Sequence, residues 1–243
     1  MADMRPLAGV SRRTVPLMNR GRRELTLGAV ASGLVGALAP GRALAQLALV
    51  EGTHYLRLTT PVSTVAAPGK IEVIEFFWYE CPHCNAFEPA LEAWVGRLPD
   101  DVAFRRVPVW FREEPFGPQQ RLFYTLEALG LTAQLHRKVF HLIHDQHVRL
   151  RTPEDVASFA LTNDLDPVKF MTVYNSAAVR SKSEQARRIA EAYGVDGVPS
   201  MGVQERYFTN GTLANGGVAG GANERMLPVV DALLIKVRQA PRG

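Results

Sequence analysis

The chain has 243 residues, a formal net charge of +4 and no repeats or low-complexity tracts. Residues 1–45 hold seven arginines against Asp3 and Glu24, a net of +5, so residues 46–243 carry about −1. The basic balance therefore belongs to the N-terminal segment and does not indicate a nucleic-acid partner, and we expect none. The remaining 198 residues are enough for a sizeable core in one domain with an insertion, or in two small lobes.

The first segment of the chain has the pattern of an export signal. Arg20, Arg22 and Arg23 precede an uncharged run from Leu25 to Ala39, and Ala43-Leu44-Ala45 follows as a small-residue cleavage site. We predict a signal peptide over 1–45 and a mature chain that begins at Gln46. An uncleaved membrane anchor is the alternative, but the uncharged run is short for a membrane span.

The sequence does not decide the export route or the start codon of this segment. Gly21-Arg22-Arg23-Glu24-Leu25 resembles a twin-arginine export signal, but paired arginines are also common in ordinary signals, so the sequence leaves both routes possible. Met18 is an alternative start to Met1.

The mature part opens with a possible edge strand at Tyr55–Leu58, followed by a buried strand over Lys70–Tyr79 that is rich in Val, Ile and aromatic residues. Within this strand Glu75 shares a face with Val73 and Phe77, which places a carboxylate among apolar side chains six residues before Cys81. The pattern predicts that Glu75 is buried.

Cys81 and Cys84 are the only cysteines, and they directly follow this strand. A structural disulfide is one interpretation in an exported protein, but a bridge that closes so short a loop restricts the unfolded chain very little. Pro82 suits the first turn of a helix, which would point backbone N–H groups and the positive helix end at Cys81. The spacing therefore favours a redox pair.

A helix follows Cys81 and ends near Gly96, and a second buried strand spans Val102–Trp110; strand, helix and strand in this order open a thioredoxin-type fold. The next segment has helix signals and little strand character: Gln119–Leu129, Thr132–His144, and helix starts at Thr152-Pro153 and Asp166-Pro167. We predict a helical insertion over 114–181. It divides a thioredoxin-like domain into 46–113 and 182–243.

The last part is expected to return to the sheet. A helix over Lys182–Tyr193 stops at Gly194, and a strand begins near Met201. Asn210-Gly211 is a hairpin signal, and Asn223–Val237 reads as a closing helix.

Several of these residues together resemble the DsbA family of periplasmic thiol-disulfide oxidoreductases. They are Glu75-Phe76-Phe77, Cys81-Pro82-His83-Cys84, the helical insertion and Gly197-Val198-Pro199. The resemblance covers nearly all of 46–243 and implies an α/β thioredoxin fold with an inserted all-helical domain. It also implies a periplasmic monomer that donates its disulfide to reduced exported proteins, has no bound cofactor, and is reoxidised by a DsbB-like, quinone-linked membrane partner.

The resemblance also assigns roles to single residues. Cys81 is the attacked sulfur and Cys84 the buried resolving thiol, His83 stabilises the Cys81 thiolate, and Glu75 moves a proton to or from the inner cysteine. Pro199 is expected in the cis form against the dithiol, and Val198 offers its backbone to a substrate strand.

Glu80 departs from what an oxidant needs, because a negative charge directly before Cys81 opposes the thiolate. We expect Glu80 to be solvent-exposed and its effect to be modest.

Four histidines, His136, His141, His144 and His147, have spacings that suggest a metal site. No cysteine accompanies them, so we interpret them as a solvated helix face and predict no metal site.

Two other functions share these features. A disulfide reductase or isomerase on the same fold would carry the same pair, although isomerases usually have a dimerisation domain, and no such segment precedes Val73. A non-enzymatic metal carrier would bind its ion through Cys81 and Cys84. Trp110, Phe111 and Phe116 are either core residues or part of a peptide groove.

Overall fold

The computed structural model describes residues 49–110 and 117–240, so the predicted signal peptide lies outside the described residues. Within them one mixed sheet has the order β1-β5-β4-β2-β3. The strands are β1 (Leu56–Arg57), β2 (Ile71–Phe77), β3 (Val102–Pro108), β4 (Ser200–Val203) and β5 (Tyr207–Asn210). Only β2 and β3 pair in parallel, and the other neighbours are antiparallel.

Strand β2 is the central strand that carries the redox pair. All seven of its residues are buried, as its run of Val, Ile and Phe predicts for a strand covered on both faces. Its last residues pair with both neighbours: Phe77 lies opposite Pro108 of β3, and Phe76 opposite Ser200 of β4. This register brings the segments before Cys81 and after Pro199 to the same end of the sheet.

The helices include the predicted insertion. In chain order they are α1 (Pro82–Val95), α2 (Gly117–Ala128), α3 (Thr132–His144), α4 (Pro153–Thr162), α5 (Pro167–Tyr174), α6 (Ala177–Tyr193), α7 (Gly211–Ala214) and α8 (Met226–Gln239), with a short 3-10 turn at Asn223–Arg225 before α8. Helices α2 to α5 follow one another between β3 and α6, which confirms a thioredoxin-like sheet with a helical insertion. None of the described helices has the length and apolar character needed to cross a membrane.

Helix starts follow the side chains that cap them. Thr152 and Asp155 form a reciprocal capping box at α4, and Asp166 accepts the N–H groups of Val168 and Lys169 at α5. The expected start of α6 at Lys182 was wrong. Ser176 accepts from the N–H of Val179, so the helix begins at Ala177 and continues through the predicted domain boundary at 181/182.

The apolar residues of β2 belong to two different clusters. Val73 packs with α1 and α8, for example with Leu91, Trp94 and Leu233. Ile74 and Phe76 belong to a second cluster that continues into the insertion through Leu122, Phe140 and Phe159. The insertion therefore shares a continuous core with the sheet.

The hairpin expected at Asn210-Gly211 was wrong. Strands β4 and β5 are joined instead at 204–206, where Gln204 and Glu205 have φ of 47° and 62°. The Asn210 side chain accepts from the N–H of Leu213 at 2.9 Å and caps α7. Asn is favoured both in tight hairpins and at helix N-caps, and here it is a cap.

Candidate active site

The two cysteines lie at the first turn of α1. Cys81 is the N-cap residue, Pro82 opens the helix, and the N–H of Cys81 donates to the carbonyl of Trp78 at 3.0 Å. Both are free thiols, and Cys81 is 7% exposed while Cys84 is fully buried. An incoming thiol can therefore reach Cys81 but not Cys84.

The pKa of Cys81 is lowered to about 6. The main cause is a hydrogen bond from the Cys84 thiol, and the backbone N–H groups of Cys84 and His83 add to it against the opposing effect of burial. The charge of His83 contributes least among these causes, and the His83 side chain is exposed. At neutral pH Cys81 is therefore mainly a thiolate.

Cys84 behaves in the opposite way. Burial raises the pKa of this thiol well above its usual value, and the hydrogen bond to Cys81 and the negative charge of the Cys81 thiolate act in the same direction. The proton of the pair therefore resides on Cys84.

The loop before β4 completes the site. The Val198–Pro199 peptide bond is cis, as the resemblance implies. Cys81 Sγ lies 3.3 Å from the Val198 carbonyl oxygen, across a sequence separation of 117 residues. A cleft of about 320 Å³ opens here, and its lining includes His83, Pro199 and Asp196. The fold thus brings the Cys81-Cys84 and Val198-Pro199 segments together.

Glu75 is fully buried, as its place in the strand predicts. Arg106 Nε lies 3.0 Å from Glu75 Oε2, yet neither carboxylate oxygen accepts a hydrogen bond from the described residues. Burial, with the nearby negative charge of Glu88, raises the pKa of Glu75 well above its ordinary value. Glu75 is therefore a buried carboxyl group whose protonated form is favoured, and it lies close enough to influence the pKa of Cys84.

Sequence reasoning missed the polar network around Glu75. Arg106 donates from Nη2 and Nε to Glu88 at 2.9 and 3.3 Å, and His136 Nε2 lies 3.0 Å from Glu88 Oε1. Tyr79 Oη bonds His136 Nδ1 at 2.8 Å. Burial lowers the pKa of His136, so the neutral ring accepts from Tyr79 and donates to Glu88. The position of Glu88 on the inner face of α1 was a signal that a buried partner was needed.

The interpretation of all four histidines as a solvated helix face was wrong. His136 is 3% exposed, and His144 Nε2 bonds the Tyr79 carbonyl at 2.8 Å. His141 is exposed and pairs with Asp145. Within 49–110 and 117–240, no three His, Cys, Asp or Glu side chains are grouped so that they would hold a metal ion.

The expectation that Glu80 is solvent-exposed was also wrong. Its side chain is only 10% exposed. Arg151 binds it in a two-point contact, with Nε at 2.7 Å and Nη2 at 2.6 Å, and Gln119 Nε2 donates to the same carboxylate at 2.8 Å. These partners come from the insertion, which no local pattern around Glu80 could reveal. Of the three aromatic residues considered for a groove, Trp110 is half-buried, and Phe111 and Phe116 lie outside the described residues.

Comparison with known proteins gives a consistent family. Residues 72–218 match the family model described as DSBA-like thioredoxin domain. The thiol:disulfide interchange protein DsbA of Azotobacter vinelandii is 41% identical over 221 residues, covering 90% of this chain and 99% of that protein. The protein of the same name from Pseudomonas aeruginosa is 42% identical over 192 residues, covering 79% and 87%.

Solved structures agree. The crystal structure of Pseudomonas aeruginosa DsbA superposes with a TM-score of 0.70 at 41% identity, covering 77% of this chain and 93% of that one. That of the oxidoreductase DsbA from Xylella fastidiosa gives 0.71 at 29% identity, covering 79% and 99%.

Proposed function

The chain belongs to the DsbA family of thiol-disulfide oxidoreductases, and we propose that its Cys81-Cys84 disulfide oxidises newly exported proteins. The observation that carries this proposal is the lowered pKa of Cys81, about 6, at an N-cap position beside the cis Val198–Pro199 bond. A thiolate that is stable at neutral pH is a good leaving group, so the disulfide that contains it accepts electrons readily.

The reaction consists of two exchanges. A client thiolate attacks Cys81 Sγ, the Cys81–Cys84 bond breaks, and Cys84 takes up a proton. A second client thiolate then attacks the client sulfur of the mixed disulfide and releases Cys81 as a thiolate. Two electrons pass from the client to the pair, and the client gains one disulfide.

Glu75 is proposed to supply or take up the proton of Cys84. Its carboxyl group is buried, burial raises its pKa and so favours the protonated form, and in its ionised form it raises the pKa of Cys84. A buried thiolate leaving group has no access to bulk water, so a neighbouring acid removes a large unfavourable charge.

Val198 is proposed to hold the client backbone. Its carbonyl oxygen lies 3.3 Å from Cys81 Sγ, beside the sulfur that a client attacks. Cys81 has no proton to donate either as a thiolate or when it is bonded to a client sulfur, so the carbonyl is free to accept an N–H from the client strand. Such backbone pairing recognises extended chains of different sequence.

The linkage of the Cys81 pKa to stability gives a test with a defined sign. The pKa in the folded reduced protein is about 6, below the unfolded value of about 8.5, so the stabilisation is present at high pH and lost as pH falls through about 6. It amounts to roughly 1.4 kcal/mol at pH 7. We expect the reduced protein to melt above the oxidised protein at neutral pH, with a difference that shrinks toward pH 5. An oxidised protein that melts at the same or a higher temperature at pH 7 would contradict this.

We further propose that the protein works in the periplasm, as a monomer without a bound cofactor, after removal of residues 1–45 by either export route. A DsbB-like, quinone-linked membrane protein would accept the electrons. N-terminal sequencing of the exported protein should find Gln46 first, and an intact leader would argue against cleavage.

Trapping of mixed disulfides tests the order of the two cysteines. Cys84→Ser leaves the attacked sulfur in place but removes the thiol that resolves the bond, so it should accumulate covalent adducts with exported proteins on non-reducing gels. Cys81→Ser is the matched control and should accumulate none, since Cys84 is fully buried. Equal trapping by the two variants would contradict the assignment of Cys81 as the attacked sulfur.

A further inference from the structure

Glu80 is the residue directly before the reactive Cys81, and its negative charge is held by a residue of the helical insertion. We propose that Arg151 is a positioning residue of the redox site, which pairs with Glu80 and cancels the unfavourable effect of that carboxylate on the Cys81 thiolate. The proposal rests on the proposed oxidase function of Cys81 and adds a determinant of its oxidising strength.

The contact has the geometry of a strong ion pair. Two nitrogen atoms of the Arg151 guanidinium donate to the two oxygens of the Glu80 carboxylate, Nε at 2.7 Å and Nη2 at 2.6 Å. The Arg151 side chain is 34% exposed and the Glu80 side chain 10%. Planar two-point pairing of this kind is specific for Arg, because its donors match the spacing of carboxylate oxygens. Gln119 adds a third hydrogen bond at 2.8 Å, so the Glu80 charge has one fixed place.

The backbone of Arg151 is held by contacts within the insertion that do not involve Glu80. Leu150 on one side is buried in the large apolar cluster, and Thr152 on the other side caps α4. The main-chain N–H of Arg151 donates to Asp155 at 3.0 Å. Because the backbone is fixed on both sides, less conformational freedom is lost when the side chain reaches Glu80.

The sign of the effect follows from charge alone. Glu80 adjoins Cys81 in the chain, so an unpaired carboxylate would raise the free energy of the thiolate and favour the thiol. A neutral Arg151–Glu80 pair has a much smaller effect. Loss of Arg151 should therefore weaken the oxidant, whereas loss of Glu80 leaves a positive charge near Cys81 and should strengthen it.

A purely structural role makes a different prediction. If the pair only ties the insertion to the loop over 78–80, both single substitutions break the same contact and shift the redox equilibrium in the same direction. Substitutions that remove the charge of Arg151 or Glu80 at a fixed pH separate the two cases better than a pH series does. A pH series would also change the charge of neighbouring titratable groups, namely His83, His144 and Asp155.

The experiment compares Arg151→Gln, Glu80→Gln and the double variant with the wild type in the full mature protein. Thiolate absorbance against pH gives the Cys81 pKa, and equilibration with reduced and oxidised glutathione gives the equilibrium constant. We expect Arg151→Gln to raise the pKa and make the disulfide roughly threefold less oxidising, and Glu80→Gln to do the reverse. The double variant should return close to the wild type. Arg149→Gln removes an exposed positive charge from the same segment and is the matched control, with little expected change.

Circular dichroism checks that each variant is folded. Glu80→Gln keeps the size of the side chain and removes its charge, so it still tests the sign of the effect if Arg151→Gln does not fold. Shifts of both single variants in the same direction, or no shift in either, would overturn the proposal. Failure of the oxidase function looks different: the wild type itself would then titrate as an ordinary thiol.

Discussion

Glu75 and Glu88 share Arg106, yet their pKa values shift in opposite directions. Burial raises both, but Glu88 accepts hydrogen bonds from Arg106 and His136, which outweigh burial and lower its pKa. At Glu75 the charge of Arg106 opposes burial but does not outweigh it, so burial and the charge of Glu88 raise its pKa. Two carboxyl groups around one guanidinium thus differ, with the ionised form favoured at Glu88 and the protonated form favoured at Glu75.

A substitution of Glu75 tests this division through stability. The folded pKa of Glu75 is raised above its unfolded value of about 4.3, so the free energy of unfolding falls as pH rises above about 4. Gln has nearly the same shape and cannot ionise. We expect Glu75→Gln to have a higher Tm than the wild type at pH 7, and the difference to vanish toward pH 4.

Exposed Glu184 on α6 provides the control, since Glu184→Gln should leave Tm nearly unchanged at both pH values. A lower Tm for Glu75→Gln at pH 7 would mean that the ionised carboxylate stabilises the fold and would reverse the assignment of charge and proton.

At the scale of elements, helix α3 fixes the loop that leads into the dithiol. His136 bonds the Tyr79 hydroxyl and His144 bonds the Tyr79 carbonyl, each at 2.8 Å. Because a buried polar group without a partner costs about 1–3 kcal/mol, His136→Ala should lower the free energy of unfolding by about 2 kcal/mol or more. His141→Ala, on the exposed side of the same helix, should change it by less than about 0.5 kcal/mol. Guanidinium denaturation of the reduced proteins measures both, and equal losses would contradict a fixing role for His136.

Local sequence patterns are sufficient to predict a helix start when the capping residues are close together in the chain. Thr152 and Asp166 were correctly read as helix starts, because each cap involves residues within three positions. Asn210 was misread, because its side chain suits two local structures and the choice depends on the neighbouring strand and helix. The sequence analysis did not identify Ser176 as a cap. Because Ser176 caps α6, the helix begins at Ala177 and not at Lys182.

For the whole molecule, the sequence predicted the sheet, the insertion and the meeting of the dithiol with the cis-proline loop, chiefly because the motif after β2 resembles a known family. It did not predict the partners that come from distant segments. Glu80 meets Arg151 across 71 positions, and Tyr79 meets His136 across 57. Local charge and periodicity contain no information on such contacts, so Glu80 and His136 were both expected on the surface.

The insertion therefore contacts both Tyr79 and Glu80, the two residues directly before Cys81. We expect the stability of the insertion and the redox equilibrium of the dithiol to be linked. Stabilising the reduced site by 1.4 kcal/mol corresponds to about 30 mV in the potential of a two-electron couple.

The central claim is that the Cys81-Cys84 disulfide is an oxidant, and equilibration with a glutathione redox buffer at pH 7 tests it most directly. The lowered pKa of Cys81, about 6, predicts a reduction potential above the value of about −270 mV that is typical of thioredoxin. A potential close to that of thioredoxin would contradict the account and indicate a reductant instead.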